Sequence, residues 1–89
     1  MAVILRVASA TDVRAVAGAI AGMIREEGRA EVQAIGPQAV NQAVKGAAIA
    51  RTFLAPEALD VAFIPQFVEV EVEGRLRTAL RLTVVAWSR

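Results

Sequence analysis

The stretch that decides the fold reads AIGPQAVNQAVKGAAIAR and runs from Ala34 to Arg51. Gly36-Pro37 opens a run that favours a helix, because proline is well tolerated at the first helical position. Lys45 and Arg51 are the only charged residues in this stretch. A solvated surface helix normally carries charges along its outer face. The low charge therefore predicts a helix that lies against another surface, such as a second copy of the chain or a polyanion.

The part of the chain before this helix has the pattern of a strand, a helix and a second strand. Apart from Arg6, residues 3–8 are apolar and rich in β-branched side chains, as expected of a strand, and Thr11 or Asp12 can cap the helix that follows. Apolar residues recur at helical spacing up to Gly28, which stands where a C-terminal cap belongs. Residues 30–35 form the second strand, so the unit is βαβ with parallel strands.

One side of the first helix carries only small residues. These residues are Ala15, Gly18, Ala19 and Gly22. A glycine inside a helix is less favourable than alanine by about 1 kcal/mol. Two glycines in one helix therefore indicate that a side chain would not fit at these positions. The pattern predicts close packing of this helix on a neighbouring backbone.

The last third of the chain is predicted to form a hairpin from strands at 59–72 and 75–87. Proline cannot donate to a strand ladder, so Pro65 places the first of these strands at the sheet edge or in a bulge. The parity of the apolar residues also changes near Pro65, since Phe63 and Phe67 are odd and the following valines are even. Both observations favour an edge strand with a bulge at this proline.

The loop of the hairpin can hold two or three residues. A two-residue loop would place charged side chains on the core face. A three-residue loop, 72–74, pairs Glu71 with Arg75 and Glu69 with Arg77, and it puts a glycine at the left-handed third position. We therefore expect the three-residue loop, with each opposed charge pair adding about 0.2–1 kcal/mol.

These elements follow the order βαβαββ in one domain that spans residues 1–89. The predicted class is α/β of the two-layer α+β type: a four-stranded mixed sheet with both helices on one face. The opposite face is expected to carry the polar and charged strand residues. They are Arg6, Glu31, Gln33, Glu69, Glu71, Arg77 and Arg81.

Composition narrows the range of functions. The chain lacks cysteine and histidine, which removes thiolate metal sites and the commonest general base, so we expect no enzymatic activity, metal, cofactor or small-molecule substrate. A hydrophobic fraction of 56% in 89 residues predicts self-association as a dimer or tetramer. No N-terminal apolar run is long enough for a signal or a membrane segment, so a cytoplasmic location without a membrane partner is expected.

The polar residues of the second helix allow two interpretations. Asn41, Gln42 and Lys45 share one side of the helix and form either its plain outward face or a surface that contacts phosphates. In the second case Arg75 and Arg77 of the hairpin would add positive charge. A nucleic-acid module usually has a larger basic excess than the net charge of +1 found here.

Several strings in the chain resemble the stage V sporulation protein S family. They are AEVQAIG at 30–36, AVNQAVK at 39–45 and AIAR at 48–51, and the agreement extends to VAGAIAG at 16–22 and to Ile64-Pro65. The resemblance covers nearly the whole chain. That family is similar in turn to the Alba chromatin proteins, which share the βαβαββ order and bind DNA or RNA as dimers.

The resemblance implies an Alba-like fold and a non-enzymatic regulator linked to sporulation. On this basis a homo-oligomer that binds DNA or RNA is the first hypothesis, and the phosphate contacts would come from the five polar residues of the second helix and hairpin. They are Asn41, Gln42, Lys45, Arg75 and Arg77. The alternative is a protein-interaction module of a developmental pathway that does not bind nucleic acid directly.

Overall fold

A computed structural model describes residues 3–89 and confirms the order of the elements. The helices and strands are β1 (Ile4–Val7), α1 (Val13–Glu27), β2 (Arg29–Ala34), α2 (Pro37–Leu54), β3 (Leu59–Val72) and β4 (Arg75–Ser88). A short 3-10 helix, Ala55–Glu57, follows α2 and contains Pro56. No helix in residues 3–89 has the length and hydropathy needed to cross a membrane.

The four strands form one mixed sheet in the order β1-β2-β4-β3. β1 and β2 are parallel, and β4 runs antiparallel to both of its neighbours. The helices cover one face, where Val32, Leu82 and Val84 of the sheet are buried against residues of α1 and α2. The other face, which we call the open face, carries Arg6 and Gln33, which are opposite each other in register.

Pro65 lies on an edge strand, as predicted, but the predicted bulge is absent. The pairing of β3 with β4 keeps one register throughout, with Pro65 opposite Leu82. An edge strand tolerates proline because its outward N–H groups face solvent. The apparent change of parity has another cause: Phe67 keeps the helix-facing side but lies beyond the helices, so that it is 76% exposed.

The predicted three-residue hairpin loop is also wrong. Val72 is opposite Arg75, so the loop is the dipeptide Glu73-Gly74, and both of its residues have positive φ angles of 51° and 76°. Those angles are typical of a type I′ turn, whose twist matches that of the strands. Because the outer half of the hairpin extends past the helices, no core face exists there for charges to avoid.

The caps of helix α1 lie at residues that the sequence indicated. Asp12 is the N-cap of α1, and its Oδ1 accepts a hydrogen bond from the N–H of Arg14 at 3.1 Å. Gly28 ends the helix in the left-handed conformation, and its N–H donates to the carbonyl of Ile24 at 2.9 Å. Both caps satisfy backbone groups that the helix leaves unpaired.

The small-residue side of α1 does not form the close helix contact that it predicted. A Cβ added to Gly18 or Gly22 would meet no atom within 4 Å. The close contact is made by Gly46 of α2 instead, where an added Cβ would overlap the side chain of Val16. Helix α1 packs through its larger apolar residues. The two helices approach each other most closely at Gly46 of α2, which has no side chain.

Candidate functional site

The charged residues of the protein divide into a paired set and an unpaired set. The ion pairs are Arg25–Glu57, Arg29–Glu31, Arg51–Asp60 and Arg89–Asp60. Within residues 3–89 the other cationic side chains make no salt bridge. They are Arg6, Arg14, Lys45, Arg75, Arg77 and Arg81. Six carboxylates of the described residues also lie outside these pairs: Asp12, Glu26, Glu27, Glu69, Glu71 and Glu73. The net charge of +1 thus conceals a spatial separation of unpaired charges.

Asp60 is the centre of the strongest pairing. Its Oδ1 accepts from Nε of Arg51 at 2.7 Å and from the N–H of Val61 at 2.8 Å, while Oδ2 accepts from Arg89 at 3.1 Å. The hydrogen bonds from Arg51 and Val61 hold the pKa of Asp60 well below its usual range, and the carboxylate raises the pKa of Arg51. Because these charges satisfy one another, they are not available to a ligand.

The two arginines of the hairpin, Arg75 and Arg77, are not paired with a carboxylate within residues 3–89. In the observed register Arg75 faces Val72 and Arg77 faces Val70, so both arginines project from the open face of the ribbon. Glu69 and the other predicted partner, Glu71, lie opposite Thr78 and Leu76 on the other face. The expected cross-strand salt bridges are therefore not formed. The outer part of the open face carries Arg75 and Arg77 beside Val70 and Val72, and Gln66 and Thr83 lie further along the same face.

A cavity of about 360 Å³ lies where the parallel strands β1 and β2 end. Arg6 and Arg77 line it together with the side chains and backbone of the following residues: Val7, Ala8, Ser9, Gln33 and Ile35. No carboxylate takes part. The crevice beyond the carboxyl ends of parallel strands is a common place for ligands in open α/β sheets. Because β4 continues past β2, Arg77 of the hairpin reaches the loop after β1.

Gln33 gives this cavity a fixed polar wall. It is only 8% exposed, and its Oε1 accepts a hydrogen bond from Nη2 of Arg81 at 2.7 Å. Nε of Arg81 is itself buried and has no partner among the described residues. The NH₂ group of Gln33 makes no side-chain hydrogen bond within residues 3–89, so it is left to donate.

The predicted site residues of α2 divide between two roles. Gln42 uses its Nε2 to donate to the carbonyl of Thr11 at 2.9 Å, which ties α2 to the loop between β1 and α1. Asn41 and Lys45 are exposed on α2, and Arg75 is exposed near the hairpin turn. None of these four residues lines the cavity, whereas Arg77 does.

Two members of the cavity, Arg6 and Gln33, were placed on the open face from the sequence but were not predicted as site residues. The sequence does contain a pattern that indicates them: both are polar residues that alternate with apolar neighbours in adjacent parallel strands. Their meeting with Arg77 depends on the length and twist of β4. No local pattern in the sequence reports that meeting.

An apolar groove lies between α2 and β3 on another side of the molecule. It has a volume of about 360 Å³. Among the described residues, its only charged lining residue is Arg51, whose guanidinium is held by Asp60. The apolar lining consists of Val44, Ala47, Ala48, Val61, Ala62 and Phe63. The exposed flank of α2 is therefore poor in charge, as its sequence predicted.

Comparison with known proteins agrees with this architecture. Among solved structures, Alba from Thermoplasma volcanium superposes with a TM-score of 0.58 over 93% of this chain and 99% of that chain, at 15% sequence identity. This likeness shows an Alba-like fold. A family model described as stage V sporulation protein S matches residues 3–87. The chain therefore belongs to the stage V sporulation protein S family.

Proposed function

We propose that this protein is a non-enzymatic regulator that binds nucleic acid as a homo-oligomer. The observation that carries the proposal is the open face of the hairpin, where Arg75 and Arg77 lie opposite Val72 and Val70 and make no salt bridge within residues 3–89. Guanidinium groups bind phosphate through charge-assisted, often bidentate hydrogen bonds. A two-stranded ribbon with one basic face is suited to contact a phosphate backbone.

The distribution of charge supports this proposal more than the net charge does. The arginines near Asp60 and Glu57 are neutralised by those carboxylates. Arg6 and Arg77 share a cavity that no acid lines. The attraction felt by a polyanion depends on this local field, since exposed charges farther apart than about 10 Å are largely screened at ordinary salt concentrations.

In this proposal the α2 residues have different roles. Lys45 and Asn41 are exposed and free to contact a phosphate backbone. Gln42 positions the loop after β1, because its amide is bonded to the carbonyl of Thr11. The absence of histidine and cysteine from the sequence is the reason for proposing a binding role without catalysis.

The same proposal includes a second copy of the chain on the apolar groove. Val44 is 39% exposed on α2, and Phe67 is 76% exposed on the hairpin. Burial of apolar surface is worth about 25 cal/mol per Å², so covering this flank with an identical flank is favourable. Isologous dimers are the commonest way in which a protein covers such a surface.

The proposal is tested by fluorescence anisotropy with a duplex DNA and a single-stranded RNA at two salt concentrations. We expect binding at about 50 mM salt that weakens steeply at 200 mM, because each neutralised phosphate releases counterions. The double substitution Arg75→Gln and Arg77→Gln should weaken binding by about tenfold or more and reduce the salt slope by about 2.

Arg25→Gln is the matched control, because Arg25 is exposed but paired with Glu57. It should leave the affinity unchanged. If neither probe binds at about 50 mM salt, direct nucleic-acid binding is excluded. An equal loss of affinity in the control would show that total charge, rather than the hairpin face, determines binding.

The apolar groove also favours a second candidate function. A chain that exposes Phe67 and Leu76 on its hairpin, and that also has a groove with little charge, offers apolar surface to a different protein in a regulatory pathway. This alternative predicts that the oligomeric state and partner capture depend on the groove, while substitutions of the hairpin arginines have no effect.

A further inference from the structure

We propose that the cavity beyond β1 and β2 binds a phosphate monoester, carried either by a mononucleotide or by the 5′ end of a nucleic-acid strand. The ligand is held by Arg6, Arg77 and the amide of Gln33, with the hydroxyl of Ser9 beside them. Binding of the 5′ end of a strand rests on the proposed function, whereas binding of a mononucleotide does not.

The charged side chains that line this cavity, Arg6 and Arg77, are both hydrogen-bond donors. The two guanidinium groups can only donate, and the amide oxygen of Gln33 is already used by Arg81. A cavity that offers donors and two positive charges requires a ligand rich in acceptors and negative charge.

The charge and shape of the cavity favour a monoester over a phosphate within a strand. A phosphate monoester carries a charge of about −1.5 to −2 at pH 7, which two guanidinium groups can balance. A phosphodiester carries one charge and must continue in two directions. The volume of about 360 Å³ leaves room for the sugar next to the phosphate.

An adjoining cavity of about 380 Å³ provides a place for the rest of the ligand. It shares Arg6, Gln33 and Ile35 with the first cavity and is bordered by Val70. Its apolar wall is suited to a sugar or a base. Glu71, whose register position is on the helix-facing side of the hairpin, also borders this second cavity. The phosphate is therefore placed in the first cavity, which no carboxylate of residues 3–89 lines.

The decisive measurement compares a 3′-fluorescein single strand of about twelve nucleotides that ends in a 5′-phosphate with the same strand ending in a 5′-hydroxyl. We expect the 5′-phosphate to increase affinity by about tenfold, the effect of a charge-assisted contact. Calorimetric titration with AMP and with inorganic phosphate tests the mononucleotide source.

Two substitutions should remove this preference and the binding of AMP. Arg6→Gln removes one cation from an exposed strand position. Gln33→Glu keeps the contact with Arg81 but replaces the donating amide with a carboxylate. Arg14→Gln is the control, since Arg14 is also unpaired but lies outside the cavity. Thermal melting followed by circular dichroism confirms that each variant is folded.

The outcomes separate this inference from the proposed function. Equal affinity for the two strands, together with no binding of AMP, overturns the inference even if the hairpin arginines bind the strand. Binding of AMP that depends on Arg6, with no binding of either strand, supports the inference and contradicts the proposed function. A preference for the 5′-phosphate that survives Arg6→Gln and Gln33→Glu also overturns it.

Discussion

At the scale of single residues, the contact between the helices depends on one missing methyl group. Gly46 faces Val16, which is 1% exposed and packed within the core. A side chain at position 46 would have to displace Val16 or separate the helices. Protein interiors are close-packed, so neither movement is easy. Gly18 has the opposite surroundings, since it is exposed and has open space where a Cβ would be.

These two glycines predict opposite effects of the same substitution. Gly46→Ala should lower the free energy of unfolding by about 1–3 kcal/mol, the usual cost of overpacking. Gly18→Ala should raise it by up to about 1 kcal/mol, because alanine favours a helix over glycine. Urea denaturation of the two variants measures both values. A stabilised Gly46→Ala variant would show that the helices do not approach as described.

At the scale of elements, the hairpin register determines which charges meet. A type I′ turn at Glu73-Gly74 places Glu71 and Arg75 on opposite faces of the ribbon. A loop one residue longer would place them directly opposite each other on one face. The same sequence therefore forms either a neutral ribbon or a ribbon with one acidic and one basic face. The structure has the second arrangement.

This register predicts that Glu71 and Arg75 are not coupled. In a double-mutant cycle with Glu71→Ala and Arg75→Ala, we expect an interaction free energy below about 0.2 kcal/mol. Residues directly opposite on one face would give about 0.2–1 kcal/mol. The measurement is chemical denaturation of the wild type, the two single variants and the double variant. A clearly favourable coupling would support the three-residue loop instead.

At the scale of the whole molecule, charge and apolar surface occupy different regions. The free cations Arg6 and Arg77 meet where β1 and β2 end, while the apolar groove lies between α2 and β3. A small chain with 56% hydrophobic residues cannot cover all of its apolar surface by itself. Separate regions allow one protein to assemble through one surface and bind a polyanion with another.

Assembly through the groove predicts a dimer that one charge can disrupt. Light scattering should give about twice the protomer mass of 9.4 kDa at micromolar concentration. Val44→Glu should shift the protein towards the monomer, because it places a charge in the apolar groove. Gln38→Glu, at an exposed position of α2 outside the groove, is the control for the added charge. A stable monomeric wild type would contradict assembly through this surface.

Much of the fold could be predicted because its signals are local. Asp12, Gly28 and Pro37 mark helix ends through the conformation and hydrogen bonds of a few neighbouring residues. The candidate site could be predicted only in part. Arg77 was identified as a site residue, whereas Arg6 was recognised only as a residue of the open face. Their proximity depends on two distant strands.

The family, the order of the elements and the low charge of helix α2 follow from the amino-acid sequence alone. The hairpin register, the position of the close helix contact and the proximity of Arg6 to Arg77 depend on how distant segments pack together. The hairpin register differs from its prediction because no second layer covers the outer part of the sheet. Alternation of apolar and polar residues predicts the strand register only where a second layer buries one face of the sheet. The outer part of the hairpin extends beyond the helices, so this condition is not met there. There the turn sets the register, and with it the face on which the arginines lie.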